Sequence, residues 1–346
     1  MSEAPELLRA ALREVLAGAT LDRERARRVF GAGLDGEADP VLLGGLLTAL
    51  AGRGETVEEI AGAAEALRER MVPLEHPFED AVDTCGTGGD GLGSFNLSTA
   101  AALVAAAAGA RVIKHGNRSV SSRCGSADLL EAAGIPLELG PAAAARVLEE
   151  AGITFLYAPA FHPAMRHAAP VRRALGVRTL FNWLGPLCNP GRVRRHLLGV
   201  GEASLLEPFA GILEVLGFER ALVIHGAGGA DELTLAGENR VRAVGEAPAG
   251  GWSAAELGLP EAPVEALAGG DAARNLEILQ AVLAGEGGPV AEAVVLNAAA
   301  ALAAAGLEDQ PEAACDRARE ALDSGRAATI LETWRRTACA LAGEGA

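Results

Sequence analysis

From Pro73 to about residue 225, short β-branched and apolar runs alternate with longer alanine- and leucine-rich stretches, and few folds satisfy that alternation. Strand candidates fall at 81–84, 111–114, 153–158, 197–200 and 221–225; helix candidates fall at 98–109, 126–134, 141–151 and 204–217. A strand–helix–strand rhythm of this kind predicts a largely parallel sheet with helices on its faces, an α/β fold. Residues 234–245 read as a short antiparallel hairpin turning at Gly237-Glu238-Asn239, and 271–343 as helical, with close alanine packing over 289–305. Ahead of the rhythm, residues 4–72 carry apolar side chains at three-to-four spacing. Four helices are expected there: around Leu7, Leu8, Leu12 and Val15, then Arg23–Leu34, Val41–Ala51 and Val57–Met71. Thr20 and Thr56 are candidate N-caps. The stretch 162–192, rich in proline, arginine and asparagine, interrupts the rhythm and is expected to return to the helical unit.

Composition narrows the function. Half the residues are apolar and only 3 % aromatic, which suits helices packed closely through small side chains. The net charge of −16 argues against a nucleic-acid surface. An anionic ligand would then need local donors and a divalent cation to overcome the field of the whole chain. No stretch of about 18 uninterrupted apolar residues is present, so no membrane span is expected. The acidic N-terminus lacks an apolar signal region, and a cytoplasmic location follows as the expectation. Cys85, Cys124, Cys188, Cys315 and Cys339 form no C-x-x-C pair and read as reduced thiols; no Cys–His relation in the sequence singles out Cys85 as a nucleophile.

The chain has 30 basic residues, and a single one of them, Lys114, is lysine. Where arginine serves everywhere else, the exception is expected to use what a guanidinium lacks, a compact ammonium on a flexible stem. Lys114 lies among glycine- and hydroxyl-rich segments. Gly86, Gly88, Gly89 and Gly91 let a loop leave a strand with its N–H groups facing outward, a concavity for anions. The same segment satisfies G-x-G-x-x-G, but the helix begins only near Ser98 and Arg-Val-Ile-Lys-His stands where a dinucleotide site needs an acid. Asn96-Leu97-Ser98-Thr99 opens that helix, adding free N–H groups and hydroxyls at its positive end. Two such devices in succession suit a substrate with two separated phosphate groups. Lys114 to Ser122 then presents Lys, His, Asn, Arg and three serines, on the same sheet edge if the strands are parallel. Lys114, Ser119 and Ser122 are read there as facing phosphates. His115 and Asn117 are read as contacts for an uncharged or aromatic second substrate. Asp231-Glu232, after a strand and a glycine loop, are oxygen ligands of the type Mg²⁺ takes, and Asp90 is an acid for the opposite end of the same substrate. Arg172 and Arg173 are the carboxylate partners outside the loops.

Taken in order, these segments resemble the anthranilate phosphoribosyltransferase family. The match runs through Gly-Thr-Gly-Gly-Asp, Asn-x-Ser-Thr, Lys-His-Gly-Asn-Arg and Gly-Ser-Ala-Asp. It continues through His162-Pro163-Ala164-Met165, Arg172, Phe181 to Pro190 and Asp231-Glu232, and spans nearly the whole chain. The resemblance implies a discontinuous helical domain, 1–72 with a returning segment near 170–194, and an α/β domain over 73–169 and 195–346. By position it implies that Gly86, Gly89, Asp90, Ser94, Asn96, Leu97, Ser98 and Thr99 bind phosphoribosyl pyrophosphate. Lys114, His115, Gly116, Asn117, Arg118, Ser119, Val120, Ser121, Ser122 and Ser126 complete that set. Ser98, Asp231 and Glu232 would hold Mg²⁺, two ions per monomer. Gly86, Asn117 and Arg172 would bind anthranilate, with His115 and His162 at the mouth of its site. Ser94 stands where threonine is common, and Leu97 replaces a β-branched residue.

The reaction so implied joins the anthranilate amine to ribose C1, expelling pyrophosphate with inversion in a step of tryptophan biosynthesis. An oxocarbenium-like transition state needs leaving-group stabilisation more than a base, in keeping with the lack of a triad. The family also implies a homodimer through the helical domain. A fused glutamine amidotransferase does not fit in 346 residues, leaving a separate anthranilate synthase as a partner. The alternatives are a pyrimidine-nucleoside phosphorylase, which would carry a longer lysine-containing glycine loop, and a nucleic-acid-binding paralogue, which would lose the acidic pair.

Overall fold

The computed structural model describes residues 3–119 and 123–344. Four helices come first, α1 (Ala4–Leu16), α2 (Arg23–Leu34), α3 (Pro40–Arg53) and α4 (Val57–Arg68). Thr56 caps α4, and Glu59 returns the bond in a capping box. Glu59 is fully buried there, also accepts from the Leu21 N–H at 2.9 Å and pairs with Arg53. It ties the start of α4 to the chain entering α2. Thr20 does not cap α2. Asp22 does, its carboxylate accepting from the Arg25 N–H, because it is the residue adjoining the first helical turn.

The alternating region gives β1 (Val82–Gly86), α5 (Leu97–Ala107), β2 (Val112–Gly116), α6 (Ser126–Ala132), α7 (Pro141–Ala151) and β3 (Ile153–Tyr157). Next come α8 (Ala158–Phe161), directly after β3, and α9 (Met165–Leu175) in the returning segment. Then follow β4 (Arg195–Gly199), α10 (Leu206–Val215), β5 (Arg220–His225) and β6 (Arg240–Gly245). The chain closes on α11 (Ala272–Leu283), α12 (Pro289–Ala304), α13 (Pro311–Asp323) and α14 (Arg326–Glu344). Among the described residues no helix is long and apolar enough to cross a membrane.

The six strands lie in the order β3-β2-β1-β4-β5-β6, all parallel except β6, which runs antiparallel to β5. Strands buried on both faces read as continuous apolar runs. Leu197, Leu222 and Ile224 face one core, while Leu198, Ala221 and Val223 face the other. The first core holds α5 and α12, buried nearly all round and made close-packing by alanine. The second holds the N-terminal helices together with Ala168 and Val171 of α9 and Leu180, Phe181, Leu184 and Leu187 beyond it. Phe30 of α2 meets Phe181 edge-on, ring centres 5.9 Å apart.

The hairpin expected over 234–245 does not form. Only Arg240–Gly245 is extended, and it pairs with β5. The preceding turn wraps the Asn239 side chain instead, which accepts from the Ala227 and Thr234 N–H groups and donates to the Thr234 and Trp252 carbonyls. A side-chain amide supplies the partners that a second strand would have offered.

Because β1 continues outward to β2 and β3, while β4 starts on the other side of β1, the strand order reverses between β1 and β4. In open α/β sheets such a reversal opens a crevice at the carboxyl ends of the strands.

Candidate active site

The strands that meet at this crevice end on glycine, and the contacts explain why. A Cβ at Gly86 of β1 would land on the Asp231 carboxylate, one at Gly199 of β4 on the Asp231 carbonyl, and one at Gly226 after β5 on the Glu232 carbonyl. The acidic pair therefore lies directly across three strand ends. No side chain fits beneath it.

Both carboxylates already sit on backbone donors. Asp231 Oδ2 accepts from the Gly88 N–H at 2.8 Å. Glu232 Oε1 accepts from the Ser98 N–H at 2.9 Å, in the first turn of α5, and its Oε2 accepts from Ser94 Oγ at 3.4 Å. Outward-facing N–H groups and a helix N-terminus draw anionic oxygen, which is what the glycine loop and α5 were expected to offer. Both acids are nonetheless pushed above the usual carboxyl range: Asp231 by burial and then by the charge of Asp90, Glu232 by burial and then by Asp231. Asp90 Oδ1 accepts from the Leu92 N–H at 3.2 Å, while its buried Oδ2 has no hydrogen-bond donor among the described residues. Three crowded carboxyls with an orphaned oxygen and the adjacent Ser98 hydroxyl form a hard, all-oxygen donor set. It fits Mg²⁺.

Lys114, in the middle of β2, is fully buried beneath this wall. Its Nζ donates to the Thr84 carbonyl and to Ser98 Oγ, the latter at 3.2 Å. Burial lowers its pKa, against the opposing pull of Asp83. Asp83 itself accepts from the Thr84 N–H at 2.7 Å, the His115 N–H at 3.2 Å and Asn189 Nδ2 at 2.8 Å, joining β1, β2 and the returning segment. Cys85 Sγ lies 3.4 Å from His196 Nε2, a neighbour 111 positions along the chain and so hidden from the sequence. Burial, and then the charge of Asp83, raise the thiol well above its ordinary value, which disfavours the thiolate that a nucleophile needs.

The opposite wall is formed by two histidines. His115 Nδ1 faces the Gly185 carbonyl at 3.0 Å, so it carries the proton, and its Nε2 accepts from His162 Nε2 at 3.2 Å. Burial lowers His115 to about 3 and His162 to about 4, and both rings are neutral. Arg172 reaches this side from α9, its guanidinium 5.9 Å from the Phe181 ring centre. Arg173 is exposed and does not line the cavity.

Between the walls lies a cavity of 1420 Å³. Gly86, Gly89, Asp90, Ser94, Asn96 and Ser98 border it from the first loop, and Gly116, Asn117, Arg118, Ser119 and Ser126 from the second. Leu97 and Thr99 do not: α5 is buried nearly all round, and both of these side chains are buried with it. Arg118, expected among phosphate contacts, pairs with Glu131 at 2.7 Å and Asp128 at 3.2 Å. Asp128 also accepts from the Ser119 and Gly125 N–H groups, closing the second loop onto α6. Val120, Ser121 and Ser122 lie outside the described residues. Two residues that brace the first loop had no sequence signal of their own. Arg178, on the cavity border, donates to the Gly88 and Gly89 carbonyls at 3.3 and 3.4 Å. Asn275, behind the border on α11, donates to Asn96 Oδ1 at 2.8 Å and accepts from the Gly270 N–H at 2.6 Å.

Comparison with known proteins decides the family. The glycosyl transferase family a/b domain matches residues 78–328, and the helical bundle domain of the same family matches 9–71. The anthranilate phosphoribosyltransferase of Thermomicrobium roseum is 48 % identical over 96 % of this chain and 97 % of its own length. The chain belongs to the anthranilate phosphoribosyltransferase family. The crystal structure of the enzyme from Thermus thermophilus superimposes with a TM-score of 0.90 at 49 % identity, covering 95 % of this chain and 99 % of that one. The Saccharomyces cerevisiae anthranilate phosphoribosyltransferase in complex with PRPP and Mg gives 0.88 at 26 % identity, covering 98 % and 100 %. Family membership makes the chain a glycosyltransferase-type enzyme and favours that reading over a phosphorylase or a nucleic-acid-binding paralogue.

Proposed function

We propose that the chain transfers the 5-phosphoribosyl group of phosphoribosyl pyrophosphate to the amine of anthranilate in tryptophan biosynthesis. A C–N bond forms at ribose C1 as the C–O bond to pyrophosphate breaks, and the aryl ammonium gives its proton to solvent. The products are N-(5-phosphoribosyl)anthranilate and pyrophosphate. The observation that carries this reading is the acidic pair laid across three glycine strand ends, bonded to the Gly88 and Ser98 N–H groups. Those N–H groups hold carboxylate oxygen already, which supports taking them, with Lys114 below and Asn96 beside them, as the donors for phosphate and pyrophosphate.

Asp231, Glu232 and Ser98 would hold Mg²⁺, in two ions per monomer. The metal supplies positive charge for the departing pyrophosphate. The neutral histidine wall would take the aromatic ring, and Arg172 its carboxylate. Burial that keeps His115 and His162 uncharged also keeps them from competing for that carboxylate. Asn117 and Gly86 line the same cavity and would help bring amine and ribose together.

The division into a helical domain, 1–72 with 170–194, and an α/β domain belongs to the same reading. So does a homodimer through the helical domain, and exposed Leu16, Val41 and Val177 in that unit support it. A cytoplasmic location and a separate anthranilate synthase complete the proposal. Purified protein mixed with anthranilate, phosphoribosyl pyrophosphate and Mg²⁺ should quench anthranilate fluorescence only when all three are present. Unchanged fluorescence, or product without Mg²⁺ after chelation, defeats the proposal.

A further inference from the structure

The helix α12 is buried from Ala293 to Ala304, and over that stretch every side chain but one is apolar. The exception is Asn297, 1 % exposed. An amide buried in such a setting costs free energy unless it is fully hydrogen-bonded. Here it is. Asn297 Oδ1 accepts from the Leu233 N–H at 3.0 Å, and its Nδ2 donates to the Leu233 carbonyl at 2.8 Å and to the Ala293 carbonyl at 2.8 Å.

Leu233 is the residue after the acidic pair, so Asn297 grips the peptide that joins Glu232 to the core. From the other side the Asp231 and Glu232 carbonyls press on Gly199 and Gly226, which admit no side chain. The acids are thus set in height by the strand ends and in register by one amide. A slip at Leu233 would carry Glu232 off Ser98 and Ser94.

We infer that Asn297 is a positioning residue for the cation-holding acids, acting through Leu233, 64 positions away in sequence. This rests on the reading of Asp231 and Glu232 as metal ligands. Partners behind metal ligands are typically worth about 10- to 100-fold in metal affinity.

The test is Mn²⁺ binding, followed by electron paramagnetic resonance with phosphoribosyl pyrophosphate present, in four proteins: wild type, Asn297→Leu, Leu322→Ala and Asp231→Asn/Glu232→Gln. Leu322 is a buried residue of α13 outside the clamp, so Leu322→Ala loses stability without touching it. Asn297→Leu should bind Mn²⁺ at least about tenfold more weakly and need correspondingly more Mg²⁺ for half-maximal rate, with the KM for anthranilate unchanged. Leu322→Ala should bind Mn²⁺ as wild type does. Wild-type Mn²⁺ affinity in Asn297→Leu, or equal weakening in Leu322→Ala, overturns the inference. Wild-type affinity in the double acid variant overturns the metal reading beneath it instead. Should Asn297→Leu fail to fold, Asn297→Asp takes its place. It keeps the acceptor for the Leu233 N–H but loses both donated bonds, so it should also weaken Mn²⁺ binding, and wild-type affinity there overturns the inference equally.

Discussion

The acidic wall and the histidine wall face each other across one cavity and are governed by one force acting on opposite charges. Burial raises Asp231 and Glu232 and lowers His115 and His162, so both walls resist ionisation. Their neighbours separate them. The acids crowd a third carboxyl, Asp90, and gain from any cation; the histidines bond each other and a carbonyl and carry no charge, although His162 Nδ1 has no hydrogen-bond partner among the described residues. One wall is unfinished without a counter-charge. The other has no charge to balance.

Removing the unfinished wall's charge should have the largest effect. Asp231→Asn/Glu232→Gln is expected to lower kcat by at least ~100-fold, the usual loss with a preorganised charge contact. Turnover measured across an Mg²⁺ titration checks this, and wild-type turnover at matched Mg²⁺ refutes the metal assignment. Lys114→Arg comes next, at about 100-fold. The planar fork is too broad for a buried slot that presents the Thr84 carbonyl and Ser98 Oγ to a single point donor. Activity within a few-fold of wild type would show that charge alone suffices there.

The sequence made much of this legible, and the limits have physical causes. Apolar residues and closing glycines betrayed the strands, although β1, β2 and β4 also carry the buried polar residues Asp83, Lys114, His115 and His196. The two loops could be placed on one edge because parallel β1 and β2 must both end there. Side-chain partners far along the chain left no such trace. Nothing near Arg118 announces its ion pair with Glu131, and nothing near Asn239 announces that its amide replaces a strand. Leu97 and Thr99 share a motif with Asn96 and Ser98, yet both are buried because α5 is enclosed on nearly all sides. Lys114 stood out by rarity, while its burial did not. Asn297 left a faint mark, an amide within a run of alanines, whose meaning needed Leu233 beside it.

The smaller effects are in stability against pH, where the two walls should move oppositely. A carboxyl raised by folding contributes stability below its unfolded pKa, and that contribution is lost as pH climbs through the folded value. Without a cation, the acidic wall should therefore weaken the fold as pH rises above the ordinary aspartate and glutamate values of 3.8 and 4.5. Mg²⁺ should restore what is lost, so its effect on Tm should be slight near about pH 5 and larger near about pH 8. A Tm increment that is flat with pH, or that disappears in the wild type but survives in the double acid variant, breaks the contrast.

For the histidine wall the sign reverses. A ring held neutral by the fold costs nothing above its unfolded pKa, and stability falls as pH drops from 6.5 toward the folded value of about 3 for His115. Each proton withheld steepens that fall by about 1.4 kcal/mol per pH unit. Urea unfolding of His115→Phe between those limits should show a shallower slope than wild type, with the Mg²⁺ response at higher pH untouched. An unchanged slope would mean that the ring charges freely in the folded protein. The Gly185 carbonyl and His162 would then be holding an imidazolium, and the second wall would be as dependent on a counter-charge as the first.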